Sequence, residues 1–124
     1  MTVRRCFYGI VLILQFGLPF SAVAEAAETC QDLGLGQNLC GQFTKAYADN
    51  KAAEDIYWTW AAGMMSGLNF ASVANSNIFR DLTGDQDIYR RAVRNYCAMH
   101  PLTTYGGAIL DLYVSFPLKK TGSK

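Results

Sequence analysis

Histidine is nearly missing from this chain of 124 residues: His100 stands alone. Among the four cysteines, Cys6, Cys30, Cys40 and Cys97, no two form a C-x-x-C pair. The two absences exclude the usual zinc spacings, so neither a metal nor another cofactor is expected. Proline is scarce too, and two of the three residues, Pro101 and Pro117, stand where they can stop a helix rather than interrupt one. No long run of one charge occurs. Without Arg4 and Arg5 the chain carries nine Lys and Arg against ten Asp and Glu, which gives no reason to expect a nucleic acid or an anionic surface as partner. The cluster Arg90, Arg91 and Arg94 is offset by Asp85 and Asp87, and Asp87 and Arg91 have the i,i+4 spacing of a solvated helix face.

Charge vanishes altogether between Ile56 and Phe79, 24 residues that carry Tyr57, Trp58, Trp60, Met64, Met65 and Phe70. Strand alternation separates no apolar face here. Helical spacing does: Ile56, Trp60, Gly63, Met64, Gly67, Phe70, Ala71 and Ala74 recur at steps of three and four, with Trp58, Ala61, Met65 and Leu68 on a second face. A helix apolar nearly all round is either enclosed by partners or set in a membrane. Thr59, Ser66, Asn69, Ser72, Asn75, Ser76 and Asn77 make it too polar for a typical span, so no stable membrane insertion is expected. The reading is a central buried helix. Gly63 and Gly67 each cost it about 1 kcal/mol relative to alanine; close packing of a neighbour over their bare backbone is the expected compensation.

Residues 1–24 have the form of a secretory signal, with Arg4 and Arg5, the apolar run from Ile10 to Leu14, and Ala22-Val23-Ala24 as the cleavage site. The expected address is the periplasm or the exterior. Residues 25–39 form an irregular, Gly-rich lead-in, and residues 40–118 one helical domain. The first helix opens at Cys40 with Phe43 and Tyr47 on one face, and Asp49-Asn50 ends it. The second runs from about Ala52 to Asn75. Thr83 and Gln86, or Asp85, start the third, which carries Tyr89, Val93, Tyr96 and Cys97 and stops before Pro101. Thr103 or Thr104 caps the fourth, which Pro117 terminates. No strand is predicted, and residues 119–124 are expected to be a disordered tail. The expected fold is therefore an all-α, disulfide-tied bundle of about four helices.

Cys6 belongs to the signal, leaving three cysteines for an oxidising compartment and hence one disulfide. Cys40–Cys97 is the preferred pair, because it ties the first helix to the third and closes the longer loop, worth roughly 4 kcal/mol in the chain-entropy model. Cys30–Cys40 is the competitor, and Cys30 is otherwise a free thiol. No catalytic constellation is legible. His100 lacks a partner in the sequence, Gly63-Met64-Met65-Ser66-Gly67 has the wrong spacing for a nucleophile elbow, and the carboxylates are scattered. A non-enzymatic protein is expected.

Three stretches carry a resemblance: Cys40-Gly41-Gln42-Phe43; Trp60 to Asn69, with the pattern W-x-x-G-x-x-x-G-x-N; and Tyr96-Cys97-Ala98-Met99-His100-Pro101-Leu102. The chain resembles the Rap/Tai type VI secretion immunity proteins and, more distantly, HdeA-type acid-stress chaperones. The resemblance covers roughly residues 40–113. It implies a compact helical fold, a disulfide between Cys40 and Cys97, a periplasmic address and no catalysis. Trp60, Gly63, Gly67 and Asn69 would serve helix packing. The implied partner is a protein: a secreted cell-wall-degrading effector that the chain blocks or, in the chaperone alternative, unfolded clients held in acid.

Overall fold

The computed structural model of the chain describes residues 33–122. The signal segment with Ala22 and Ala24, and Cys30, lie outside them. A 3₁₀ turn, Gly34–Gln37, leads into four helices: α1 (Cys40–Asp49), α2 (Ala53–Ser76), α3 (Gln86–Met99) and α4 (Tyr105–Ser115). Three-residue strands follow α2 and α4, β1 (Ile78–Arg80) and β2 (Leu118–Lys120). They pair antiparallel, Ile78 across from Lys120, Phe79 from Lys119 and Arg80 from Leu118. The all-α, disulfide-tied expectation holds, and the Cys40–Cys97 bond joins α1 to α3.

Several helix ends are set by local signals. At α3 the Asp85 carboxylate accepts from the Asp87 N–H at 2.9 Å, and at α4 the Thr104 hydroxyl accepts from the Gly107 N–H at 3.1 Å, so both ends have side-chain N-caps. Helix α2 ends at Asn77, whose φ of 56° is the left-handed conformation that asparagine tolerates at a C-terminus. Asn75 and Ser76 remain in α2 and bond back to the carbonyls of Ala71 and Ser72; the turn lies one residue later than the sequence suggests.

The core is aromatic. Phe43, Tyr57 and Tyr105 form a triangle with ring centroids 4.9–5.0 Å apart, and Trp60 approaches Tyr105 at 6.0 Å. Such tilted and edge-on contacts add roughly 0.5–1.5 kcal/mol per pair beyond area burial. Cys40, Cys97, Ala61 and Ile109 are fully enclosed beside them. A second cluster pairs Tyr89 with Phe116, edge to face at 4.7 Å.

Two expectations need correction. Residues 118–120 form β2 rather than a loose tail. More consequentially, the described residues do not enclose α2. Tyr57, Trp58, Ala61 and Met65 point inward, whereas Ile56 is 66% exposed, Phe70 is 78% exposed, and Gly63 and Gly67 lie on the open side. A Cβ built on either glycine meets nothing within 4 Å. The glycine pair therefore does not serve packing within the described chain. The second of the two apolar faces, with Trp58, Ala61 and Met65, takes the core, and Trp60 and Met64 of the first pack partly buried at its edge.

Candidate interaction surface

The three motif stretches supply scaffolding, and two of them meet. The loop between α3 and α4, residues 100–104, lies against the N-terminus of α1. There the Cys40 N–H donates to the Thr103 carbonyl at 2.8 Å and the Gly41 N–H to the Pro101 carbonyl at 2.9 Å. Helix N-termini leave their first N–H groups without intrahelical partners, and these loop carbonyls satisfy two of them. The Gln42 side-chain oxygen accepts from the Leu39 N–H at 2.7 Å, closing the same turn. A Cβ at position 41 would stand 3.3 Å from the Pro101 carbonyl oxygen, a tight contact that glycine avoids. Cys40-Gly41-Gln42 and Cys97 to Pro101 thus form one junction, with the disulfide inside it.

The loop is fixed on its other side as well. The Tyr105 N–H donates to the Asn38 carbonyl at 2.7 Å, Leu39 bridges Thr104, and the Asn38 side-chain amide donates to the Tyr57 hydroxyl at 2.8 Å. Burial among these aromatics pushes the Tyr105 phenol well above its usual range and keeps it neutral. Outward from this frame project Met99, 70% exposed, and Leu102, 84% exposed, with His100 and Pro101 between them. The His100 ring lies 4.5 Å from that of Tyr96. The Tyr96 hydroxyl donates to the Asp111 carboxylate at 2.8 Å, and that hydrogen bond raises the phenol pKa. No family model, curated protein or solved structure matches the chain. The functional reading therefore rests on this geometry and on the motifs.

The third stretch acts elsewhere. The Trp60 indole N–H donates to the Leu33 carbonyl at 2.9 Å, holding the entering chain against α2. Asn69 does more: its amide donates to the Arg80 carbonyl at 2.9 Å, and its oxygen accepts from the Arg80 N–H at 2.8 Å and the Tyr113 hydroxyl at 2.9 Å. It bonds to β1 as a neighbouring strand would. The motif asparagine is thus the bolt between α2, β1 and α4, whereas Gly63 and Gly67 in the same motif face outward.

Among the described residues, no three His, Cys, Asp or Glu side chains cluster as a metal ion would need. Four described carboxylates are engaged in ion pairs: Glu54 with Arg94, Asp55 with Arg90, Asp81 with Lys119 and Asp49 with Lys45. No described helix is long and apolar enough to cross a membrane. Sequence reasoning placed Cys40, Cys97, Trp60 and Asn69 in the scaffold. It missed Met99 and Leu102 as a surface, because residues beside a proline read as loop and nothing in a single sequence says which loop is held rigid.

Proposed function

We propose that the chain is an exported, non-enzymatic binding protein of the Rap/Tai immunity kind, which blocks a secreted cell-wall-degrading effector by presenting the α3–α4 loop, residues 100–104, with Met99 at its start. The observation that carries this reading is the rigid protrusion itself. Apolar Leu102 and Met99 stand clear of the surface on a segment pinned by backbone bonds from α1 and seated beside a disulfide. A segment ordered before binding loses little conformational entropy on docking, and an exposed apolar side chain gains by filling a partner's pocket.

The test is inhibition. The chain, used as bait in periplasmic extract, should retain a stoichiometric hydrolase, and the reconstituted pair should lose cell-wall-cleaving activity. Leu102→Asp should weaken that inhibition at least 100-fold without altering the thermal midpoint, as expected when a buried hot-spot side chain is lost. A chain that inhibits no retained hydrolase, and instead keeps denatured clients soluble only in acid, would point to the chaperone alternative.

A further inference from the structure

Between α1 and α3 runs a groove of about 300 Å³, lined by Phe43, Thr44, Tyr47, Arg94, Asn95 and Ala98. It opens next to the α3–α4 loop, since Ala98 immediately precedes Met99. Two cations lie against its aromatic wall. The Lys51 ammonium stands 3.7 Å from the centre of the Tyr47 ring, and the Arg94 guanidinium carbon stands 5.3 Å from it. Arg91 sits one helical turn before Arg94 and Asn95, and is exposed.

We infer that this groove binds an acidic peptide segment of a partner protein, with Lys51, Arg91 and Arg94 receiving its carboxylates. The charge there is unbalanced. Arg94 is paired with Glu54, but no carboxylate among the described residues pairs with Lys51 or with Arg91. Asp87 has the i,i+4 spacing to reach Arg91 and forms no such pair, while Asp55 is held by Arg90 and Asp49 by Lys45. An aromatic face orders an ammonium without cancelling its charge, as a carboxylate would. Lys51 is therefore positioned before an anion arrives, and less side-chain freedom is lost on binding. The Arg94 guanidinium has five N–H donors, more than the Glu54 carboxylate can engage. Thr44 and Asn95 add a hydroxyl and an amide to the same lining.

The surroundings favour a peptide over a membrane or a nucleic acid. Asp49, Asp55 and Asp87 stand exposed on α1, α2 and α3 around these cations. They would repel a broad anionic surface, whereas a narrow segment can enter the groove between them. The inference goes beyond the inhibitory reading, because it concerns what the groove accepts, whichever protein the loop engages.

Heteronuclear NMR on the oxidised full chain tests this, with a capped hexaglutamate peptide as probe. Hexalysine, inorganic phosphate and phosphatidylglycerol vesicles serve as comparisons. Hexaglutamate should shift the signals of Tyr47, Ala98 and the Asn95 side-chain amide saturably, and added salt should weaken the binding. Lys51→Glu and Arg91→Glu should each weaken it about tenfold with the thermal midpoint unchanged, since both side chains are exposed. Glu54→Gln, which leaves the Arg94 charge uncancelled, should tighten it, a gain that a merely structural role for these residues would not produce. No saturable shift, or shifts indifferent to the three substitutions, would overturn the inference. So would an equal response to phosphate, which marks an adventitious anion site, or a preference for hexalysine or the vesicles.

Discussion

At the residue scale the chain depends most on a side chain with no chemistry of its own. Asn69 provides one donor and one acceptor to β1 and a second acceptor contact to Tyr113. Asn69→Ala would leave the Arg80 N–H and carbonyl half-buried without partners, and unsatisfied groups of this kind cost about 1–3 kcal/mol each. We expect a loss of about 2–4 kcal/mol in urea unfolding. Asn69→Asp, which keeps the acceptors and loses the donor, should fall between the two. The same motif shows what a sequence can and cannot reveal. Trp60 and Asn69 read as helix residues with a packing role, and they have one. Gly63 and Gly67 read as packing residues for the same reason and have no neighbour among the described residues, because periodicity identifies a face without saying which of two apolar faces the core will take. Gly67→Leu, which internal packing would make destabilising, is here a substitution into open space.

At the element scale the helices were legible and the ribbon was not. Alternating turn and cap residues mark α1, α3 and α4, whose starts at Cys40, Asp85 and Thr104 agree with the sequence within about a residue. Strands of three residues have too little sequence to show a period of two. β1 exists because Asn69 and β2 supply its two edges, neither of which is local. Its stability should carry a pH signature. The Lys119 ammonium, with Thr83 behind it, holds the Asp81 carboxyl down at about 2, against 3.8 ordinarily. A carboxylate whose folded pKa lies below its unfolded one contributes in full above the unfolded value, and loses that contribution as pH falls through the folded one. The stability difference between the chain and Asp81→Asn should therefore be flat above about pH 5 and shrink between about pH 4 and 2. Chemical denaturation across that range measures it, and a difference that stays constant down to pH 2 would contradict the assignment. The ion pair is surface-borne, so added salt should reduce the effect.

At the scale of the whole molecule, the disulfide decides how much of the chain acts as one body. Cys40 and Cys97 lie 57 residues apart, and a loop of that length corresponds to about 4 kcal/mol in the chain-entropy model. Cys97→Ser should remove a stabilisation of that order, read as a large drop in the denaturation midpoint, while Cys30→Ser should leave the midpoint nearly unchanged. That the bond would join two helices was legible, since both cysteines fall in predicted helices. That it would lie beneath a protruding loop was not, because the carbonyls of Pro101 and Thr103 meet α1 only once the bundle has closed. The bond also divides the chain by the order in which it is made. The covalent ring holds α1, α2, β1 and α3, yet much of what fills it, Tyr105, Ala108, Ile109 and Tyr113, belongs to α4 and lies downstream of Cys97. Growing from its N-terminus, the polypeptide can close the ring before it possesses the wedge that packs its middle. Until the last twenty or so residues arrive, the oxidised species is a hoop around missing contents, and β2, the final strand, is the latch that fastens them in place.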